Sequence, residues 1–551
     1  MKSSADRSDL VERLRSVIAG DILSDAGTLE TYSHDASMFE IRPEAVVVPQ
    51  DAADLGKLVR FVAERKKDQP DLSLTARSGG TDMSGGAIND SVIVSFTRFD
   101  RIGEVDGSTI AVQPGVYYRD LERKTLAAGL LMPSYPASRE ICMVGGMLAN
   151  NAGGEKSLLY GKTDRYVERL RAVLADGNEY EVRTLAPAEL AAKAAQGDYE
   201  GNLYRDLHAL LEEHYDAIQA ARPKVHKDST GYHLWDVWDR KRFDLTKLFV
   251  GSQGTLGFIT EATFRLVPQR EQAGIAAIFL PDIARLGEII AAVLATGPAS
   301  FEAFDDHTLR FAVRNFPYFL KTLGLRRFLA LGWHLLPELR HLVHGFPNLV
   351  LLVEYEGATQ DEVDRSLAAL RSTLAPYRLD LELMPTRDRS SKLWTIRRES
   401  FNLLRRNIRG AHAVPFIDDL IVPPTELPAF LPKLRAILDR HGLVYTIAGH
   451  VGEGNFHIIP LMSLEDDADR ARIAKVMHEV NALVVAHGGS LSGEHNDGLV
   501  RGPFLDLMYP PEVMQLFREV KRLFDPQSIF NPHKKTDAQW DYSERHIRTR
   551  F

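Results

Sequence analysis

Two histidines and a later Glu-His pair have the residue types of a metal site. His450 and His457 lie in YTIAGHVGEGNFHIIPL, residues 445–461, where apolar runs flank the turn sequence GEGN. A hairpin about that turn would bring the two imidazoles together. Glu494 and His495 follow in GGSLSGEHNDGLVRG. Two imidazoles and a carboxylate suit Zn, Mn or Fe, although two histidines of a hairpin are often only hydrogen-bonded polar residues.

A glycine-rich loop, RSGGTDMSGGA at residues 77–87, has the composition of an anion cradle. It follows a predicted strand, Leu72 to Thr75, and holds four glycines. Glycine tolerates the backbone angles that turn successive N–H groups toward one anion. The loop has neither the Gly-Lys-Ser/Thr of a Walker A motif nor the GxGxxG of a dinucleotide fold. By itself it could also be a simple turn.

Two further glycine clusters follow along the chain. They are VGGMLANNAGG at residues 144–154 and VGSQGTLG at residues 250–257, each beside apolar, strand-like residues. Three such clusters in order indicate a long ligand threaded between several backbone segments, with its pyrophosphate on the first loop.

With these blocks the chain resembles FAD-linked oxidoreductases of the vanillyl-alcohol-oxidase type, and among them the D-lactate and D-2-hydroxyglutarate dehydrogenases. The resemblance extends from about Pro43 to Lys535. It implies an α+β fold, in which an FAD-binding (PCMH-type) domain of two subdomains is joined by an α+β cap domain. A C-terminal segment would return to the flavin.

The resemblance also implies which residues hold FAD. The pyrophosphate would lie on Arg77, Ser78, Gly79, Gly80, Thr81, Asp82, Ser84, Gly85 and Gly86. The isoalloxazine and ribityl side would contact Pro133, Ser138, Gly145, Gly146, Asn151, Gly153 and Gly154. The adenine and phosphates would be enclosed by Gly254, Thr255, Gly257 and Ile259, with Asn531 returning to the flavin.

The first and third blocks depart from the family pattern. Asp82 stands where the family usually has glycine, and Gln253 where it often has glutamate. No histidine occurs between residues 70 and 150. A histidyl–flavin bond at the first loop is therefore excluded, and we expect non-covalent FAD.

The family's GHxGDGNxH and GEHG blocks read GHVGEGNFH and GEHNDG here. By position, His450, His457 and Glu494 would bind a divalent metal, Zn or Mn, and His495 would be the base. Glu453 takes the place of an aspartate. Asn496 takes the place of a glycine, and asparagine tolerates unusual backbone angles better than most residues.

The implied reaction is oxidation of a small D-2-hydroxy acid to the 2-oxo acid by hydride transfer to flavin N5. A metal would lower the pKa of the hydroxyl, and a neutral histidine, which titrates near ~6.5, could take its proton. Arg397 matches the family's W-x-x-R motif and is the predicted cation for the substrate carboxylate. The other interpretation is that Arg397 is a solvated charge on a surface helix. PFIDDLIVPP, residues 415–424, resembles the block PFxEDxxVPP. We expect it to be structural and to shape the substrate pocket.

Three alternatives stay open. The chain could be another flavoenzyme of this fold, an alcohol oxidase or an enzyme like alkyl-glycerone-phosphate synthase. It could be the FAD subunit of a larger electron-transfer complex. Residues 310–345, with six Lys or Arg, one carboxylate and many aromatic residues, could be a membrane or partner module, or a helical insertion that covers its own domain.

Composition limits the partners. The net charge of −8 gives no general attraction to nucleic acid. The single cysteine, Cys142, excludes a disulfide framework and a Cys-ligated iron–sulfur cluster within this chain. We expect a cytoplasmic protein. Peripheral contact with the inner face of the membrane and formation of a homodimer are both left open. Besides the 2-hydroxy acid, the partner is an electron acceptor: a quinone, a cytochrome, an electron-transfer flavoprotein or an iron–sulfur protein.

Hydrophobic periodicity predicts the elements that position these residues. We expect N-terminal helices in 1–35, the FAD-binding domain in 36–270, the cap in 271–490 and a C-terminal helical segment in 491–551. Helices are predicted over 51–66, 118–128, 361–375, 465–486 and 511–523. Strands are predicted over 44–49, 72–75, 92–97, 109–114, 275–279, 349–355 and 379–383.

Overall fold

Three large β-sheets and one two-stranded sheet form the described part of the chain. The computed structural model describes residues 4–305, 347–386 and 412–549. Its helices are α1 Ser4–Val17, α2 Ala26–Thr31, α3 Ala52–Arg65, α4 Tyr118–Ala127, α5 Val144–Asn150, α6 Ser157–Tyr160, α7 Pro187–Ala194, α8 Tyr199–Glu213, α9 Tyr215–Ala220, α10 Leu234–Val237, α11 Thr246–Phe249, α12 Leu286–Leu294, α13 Gln360–Leu374, α14 Leu427–Arg440, α15 Asp467–Ala486, α16 Gly498–Arg501, α17 Pro511–Phe524 and α18 Trp540–Arg545.

The strands alternate with these helices without a regular βαβ period. They are β1 Asp21–Leu23, β2 Ala45–Val48, β3 Leu74–Arg77, β4 Val92–Ser95, β5 Ile102–Asp106, β6 Thr109–Val112, β7 Leu130–Leu131, β8 Val167–Val173, β9 Glu179–Leu185, β10 Phe243–Asp244, β11 Phe258–Arg265, β12 Val267–Pro268, β13 Gln272–Leu280, β14 Ser300–Asp305, β15 Leu349–Gly357, β16 Asp380–Met384, β17 His412–Ala413, β18 Ile417–Ile421, β19 Val444–His450 and β20 Asn455–Met462.

The first sheet ends in the glycine-rich loop. Its order is β1-β2-β4-β3, with β4 parallel to both β2 and β3 and β1 antiparallel to β2. All residues of β2 and β4 are buried, because helices α1 and α3 pack into the same core. Strand β3 therefore ends at Arg77 with its backbone held on a fixed sheet edge.

The second sheet is built from strands that precede and follow the second glycine cluster, and its strand β11 begins directly after the third cluster. It is antiparallel, in the order β10-β9-β8-β11-β6-β5. Its core contains residues of α8 and of the C-terminal helix α17, among them Leu207, Phe517 and Phe524. Burying these large apolar side chains is the main force that docks α17 on this sheet.

The third sheet carries the histidines. It is antiparallel, in the order β16-β13-β15-β14-β19-β20-β17, and β18 pairs with β20. Apolar residues of α12, α13, α14 and α15 complete its core. Both strands of the hairpin are interior strands of this sheet, because β14 pairs with β19 and both β17 and β18 pair with β20.

The C-terminal segment contributes side chains to the hydrophobic cores of both the first and the second sheet. After α17, Ile529 and Phe530 enter the first core, and Phe530 pairs with Leu74 in a parallel bridge. The segment thereby returns to the strand that precedes the glycine-rich loop.

Every predicted helix and strand overlaps an observed one. The predicted domain limits stay a prediction. Residues 310–345 and Arg397 lie outside the described residues. None of the described helices is long and apolar enough to cross a membrane.

Candidate functional site

The predicted hairpin is confirmed and brings two histidines together. Strand β19 pairs with β20, so that His450 stands opposite Asn455 and His457 opposite Ala448. The imidazole centroids of His450 and His457 are 5.2 Å apart. The ring of His495 lies 5.2 Å from that of His457 and is stacked on it.

The three imidazoles converge on one carboxylate oxygen. Glu494 Oε1 lies 3.2 Å from His450 Nε2, 3.3 Å from His457 Nε2 and 3.9 Å from His495 Nε2. The side chains of Glu494, His450 and His457 are at most 10% exposed. Four groups that the sequence analysis singled out therefore meet at one buried point.

The other ring nitrogen of each histidine is already engaged. His450 Nδ1 bonds the Glu302 carboxylate. His457 Nδ1 lies 2.6 Å from the carbonyl oxygen of Asp418, and His495 Nδ1 lies 2.9 Å from its carboxylate. In the neutral rings the Nδ1 hydrogens are thus donated outward, and the lone pairs on Nε2 face Glu494. Such outer partners are the usual companions of metal-binding histidines.

Converging lone pairs and a carboxylate need a positive charge between them. Burial lowers the pKa of His450, but the neighbouring carboxylates, Glu302 foremost and Glu494, together raise it to about 9. Burial likewise lowers the pKa of His495, but the carboxylates of Asp418, Asp419 and Glu494 together raise it to about 9. Without a cation, protons supply the positive charge. The donor set suits a divalent cation, which would replace those protons.

A second acidic residue completes this acceptor group. Single ligand atoms of Asp419, His457, Glu494 and His495 all lie within 4.8 Å of one another. The Asp419 carboxylate accepts hydrogen bonds from the backbone N–H groups of Glu494 and His495. This group shares His457 and Glu494 with the predicted ligand set and contains His495 and Asp419 in addition. The set of His450, His457 and Glu494 stays a prediction, and the Asp419 oxygens already accept hydrogen bonds from the loop.

A buried lysine fixes the outer oxygen of Glu494. Lys227 Nζ lies 2.8 Å from Glu494 Oε2 and 3.0 Å from Glu453 Oε2, and the Lys227 side chain is 1% exposed. Burial raises the pKa of Glu494, but Lys227 and His450 hold it well below its usual range. Glu453 also accepts a 2.8 Å hydrogen bond from Ser157. Lys227 thus leaves Glu494 ionised, with Oε1 turned to the histidines.

The glycine-rich loop is shaped by the two residues that depart from the family pattern. Asp82 Oδ2 accepts hydrogen bonds from the backbone N–H groups of Ser84, at 3.0 Å, and Gly86, at 2.6 Å. Gln253 donates to Ser84 Oγ at 3.0 Å and accepts from the N–H of Gly498 at 2.9 Å. Both departures therefore stabilise the loop.

Asn531 ties the first glycine cluster to the third. Its side-chain amide donates to the carbonyl oxygens of Gly86, at 2.9 Å, and Gln253, at 2.7 Å. Its Oδ1 accepts from Thr75 Oγ1 at 3.0 Å. The predicted return of the C-terminal segment to the FAD cradle thus has a defined set of contacts.

The second cluster touches both the loop and the histidine site. A Cβ on Gly145 would lie 2.3 Å from Ser78 Oγ, and one on Gly153 would lie 3.2 Å from Glu494 Oε2. Asn496 has φ of 69°, as expected of an asparagine in place of glycine, and donates to the Gly251 carbonyl oxygen at 2.9 Å. The predicted flavin and metal residues therefore form one continuous site.

Other predicted FAD residues have mainly structural contacts. Thr255 is buried, and its hydroxyl bonds Tyr232 OH at 2.6 Å. Ile259 pairs with Ala172 inside the second sheet. Ser138 begins a turn, because its carbonyl oxygen accepts from the N–H groups of residues 141 and 142. Their contacts with FAD stay predictions, as do those of Pro133, Gly79, Gly80, Thr81, Gly85, Asn151, Gly154, Gly254 and Gly257.

The loop region has the features of a cradle for a large anion. Arg77 Nη1 is buried and has no hydrogen-bond partner among the described residues. Open space surrounds Gly146, where an added Cβ would meet nothing within 4 Å, although Gly145 beside it is tightly packed. These residues fit a dinucleotide such as FAD.

Alanine substitutions at Gly145 and Gly146 are expected to have different effects, one on protein stability and the other on FAD binding. Gly145→Ala should lower the melting temperature of the apoprotein, since its Cβ would collide with Ser78. Gly146→Ala should leave that temperature unchanged and still reduce bound FAD, because the free space is the predicted place of the flavin. Thermal unfolding and the ratio of visible to ultraviolet absorbance measure the two effects. Unchanged FAD in Gly146→Ala would place the flavin elsewhere.

Two family models match the chain. The model described as FAD binding domain matches residues 43–183, and the model described as FAD linked oxidases, C-terminal domain, matches residues 269–535. Together they span most of the sequence, and the chain belongs to the FAD-linked oxidoreductases. The resemblance drawn from the motifs is confirmed.

Relatives with known names agree with that family. The chain is 29% identical to D-2-hydroxyglutarate dehydrogenase of Pantoea ananatis, over 94% of this chain and 50% of the relative. It is 26% identical to a glycolate oxidase subunit of Bacillus subtilis, over 93% of both chains. The chain thus spans about half the length of the longer curated relatives it matches.

A solved structure shares the fold. p-Cresol methylhydroxylase with substrate bound aligns with a TM-score of 0.68 and 15% identity, covering 97% of each chain. At this identity the likeness concerns the fold alone. The predicted α+β, PCMH-type fold is confirmed.

The structure adds supporting residues that the sequence analysis did not assign. Glu302, Lys227 and Arg501 are buried charges around the histidines. Asp418 and Asp419 lie in the block that was expected to be structural. Their signal in the sequence is charge inside otherwise apolar strands, as in SFEAF and FIDDLIV, since buried charges need partners.

Proposed function

We propose that the chain is an FAD-dependent dehydrogenase that oxidises a small D-2-hydroxy acid to the 2-oxo acid with the help of a divalent metal. The convergence of three histidine Nε2 atoms on Glu494 Oε1, at 3.2, 3.3 and 3.9 Å, carries this proposal. The names of the relatives support the substrate class. Gly153, a predicted flavin residue, lies so near the ligand carboxylate that an added Cβ would be 3.2 Å from Glu494 Oε2, which supports a substrate position beside both flavin and metal.

Each of the chain's own groups then has a task. His450, His457 and Glu494 hold Zn or Mn, and the loop from Arg77 to Ala87 holds the FAD pyrophosphate. His495 Nε2 accepts the substrate hydroxyl proton, while Asp418 keeps the Nδ1 hydrogen on the other side of the ring. Arg397, outside the described residues, binds the substrate carboxylate.

FAD and a divalent cation would supply the rest of the chemistry. The residues named above would hold a flavin able to take up the hydride from the substrate Cα and a cation able to lower the pKa of the hydroxyl. The cation also favours neutral His495, because two positive charges at this distance repel each other. The protein contributes the fixed geometry of the reacting groups.

An anaerobic panel of D- and L-2-hydroxy acids tests this function. The visible absorbance of the flavin should bleach with one or more D acids and stay with their L enantiomers. The panel should include D-lactate, D-2-hydroxyglutarate and glycolate, which differ in side chain. If no member bleaches the flavin of the metal-loaded protein, the proposed activity is wrong.

Metal affinity is expected to depend on pH. His450 and His495 each have a pKa of about 9 in the cation-free site, so both carry protons near neutral pH. Binding must displace them, and the apparent Kd for Mn²⁺ should fall by roughly tenfold per pH unit for each proton released between pH ~7 and ~9. Electron paramagnetic resonance of free Mn²⁺ measures this. A pH-independent Kd would mean that the metal does not bind at these histidines.

A second candidate is the FAD subunit of a larger electron-transfer complex. The Bacillus subtilis relative is named a subunit, and the chain spans half of the longer relatives. Because these 551 residues hold one cysteine, the ligands of a Cys-ligated cluster would have to lie outside them. Co-purification of a Cys-rich protein with this chain, and faster flavin reoxidation in its presence, would favour this version.

A further inference from the structure

Two consecutive buried aspartates lie beneath the loop that carries Glu494 and His495. Asp418 and Asp419 belong to β18, and both are 0% exposed. Side chains of neighbouring strand residues normally point to opposite faces of a sheet. Here both carboxylates bond the same loop, so the strand must depart from regular geometry.

A bulge in β18 accounts for this departure. Ile417 pairs with Ile458, whereas Leu420 pairs with Phe456. Three steps along β18 therefore match two steps along β20, and the one extra residue falls at the aspartates. Bulges of this kind re-aim side chains and are frequent beside active sites.

Asp419 holds the backbone of the loop. Its Oδ2 accepts from the backbone N–H groups of Glu494, at 2.9 Å, and His495, at 2.7 Å, and from Ser492 Oγ at 2.5 Å. Its Oδ1 accepts from Asn455 Nδ2 at 3.0 Å. With four donors, this carboxylate fixes where the next two side chains begin.

Asp418 holds the rings. Its Oδ2 bonds His495 Nδ1 at 2.9 Å, and its backbone carbonyl oxygen accepts from His457 Nδ1 at 2.6 Å. Its Oδ1 is paired with the Arg501 guanidinium, which also donates to the Asn496 carbonyl oxygen at 3.0 Å. The Asp418 carboxylate thus positions the ring of His495, whereas the Asp418 backbone carbonyl positions the ring of His457.

We propose that Asp418 and Asp419 are positioning residues with separate tasks. The bulge in β18 turns both carboxylates toward the loop that carries Glu494 and His495. Asp419 sets the place of Glu494 and thereby metal binding. Asp418 sets the orientation and tautomer of His495 and thereby proton transfer. The inference rests on the proposed function of the site, because it assigns His495 a proton to accept.

Asp418→Asn is expected to slow flavin reduction without loss of metal or FAD. An amide can turn its NH₂ toward His495 and favour the wrong tautomer, which in a comparable Asp–His pair costs about 10⁴-fold in rate. We expect the limiting rate at saturating D-2-hydroxy acid to fall by at least about a hundredfold. Half-saturating substrate, metal content and FAD content should stay at wild-type values. Asp418→Glu, which keeps the carboxylate, should recover most of the lost rate.

Asp418→Asn also leaves the buried charge of Arg501 poorly paired, and the variant could fold badly. The double variant Asp418→Asn/Arg501→Gln removes both charges and should restore the melting temperature but not the rate. A wild-type limiting rate in the double variant would overturn the role of Asp418. Asp54→Asn is the matched control, since Asp54 is a buried carboxylate that accepts backbone N–H bonds far from the site.

Asp419→Asn should lower metal content as well as rate. An amide has one acceptor oxygen, so either the two loop N–H groups or Asn455 lose their partner. Wild-type metal content in this variant, measured by elemental analysis, would overturn its role. Absence of flavin reduction in the wild-type protein would instead overturn the proposed function. The metal content of Asp419→Asn would still decide whether Asp419 fixes the loop.

Discussion

His495→Ala is expected to keep its yellow flavin and lose its bleaching by substrate. The Nε2 atom of His495 faces Glu494 at 3.9 Å, whereas its Nδ1 atom is hydrogen-bonded to the Asp418 carboxylate. Nε2 is therefore the nitrogen that can accept the substrate proton. Removing a general base costs about 10²–10⁴-fold in rate. Rapid-mixing absorbance of the anaerobic, metal-loaded protein gives the rate constant of flavin reduction.

The metal content of His495→Ala shows whether His495 acts as a base or as a metal ligand. Metal content should stay near that of the wild type, because His450, His457 and Glu494 remain. His214→Ala is a control, since His214 pairs with Glu512 away from the site. Full bleaching by His495→Ala at the wild-type rate would show that another group takes the proton.

Glu494→Gln is expected to lose the metal and to lower stability. The substitution removes the charge on which three imidazoles converge, and it leaves buried Lys227 with Glu453 as its carboxylate partner. Removing one partner of a buried ion pair costs about 3–5 kcal/mol. Elemental analysis should find little metal, and flavin reduction should slow as much as after chelation.

Two comparisons make the Glu494 result specific. Glu479→Gln changes a carboxylate that pairs with Arg440 and His441 in a more exposed position and should leave metal content unchanged. Chelated wild-type protein should recover its rate with added Zn or Mn, whereas Glu494→Gln should not. An equal metal content in Glu494→Gln and the wild type would remove Glu494 from the ligand set.

Local patterns were enough to predict two parts of the candidate site, the histidine hairpin and the glycine clusters. The hairpin followed from two apolar runs around GEGN, and that alone set His450 and His457 side by side. The three glycine clusters are far apart in sequence, yet each is a short local pattern. Their meeting at one ligand was implied by the resemblance, because spacing cannot show which loops touch. The contacts of Asn531 and Ser78 that join them were not predicted.

The supporting charges could not be predicted in the same way. Glu302 lies 148 residues before its partner His450, and Lys227 lies 267 residues before Glu494. Such pairs depend on how three sheets pack, which no local pattern contains. For Asp418 and Asp419 the period-2 rule gives the wrong answer. It predicts opposite faces, and the one-residue bulge in β18 turns both toward the loop.

The dependence of flavin reduction on metal tests the account most directly. One preparation is stripped with a chelator and divided, and one half is reloaded with Mn²⁺ or Zn²⁺. Both halves are mixed anaerobically with a D-2-hydroxy acid that bleaches the untreated protein. We predict rapid bleaching in the reloaded half and a rate lower by several orders of magnitude in the stripped half, with FAD bound in both. Equal rates would contradict a metal-assisted reaction at His450, His457, Glu494 and His495.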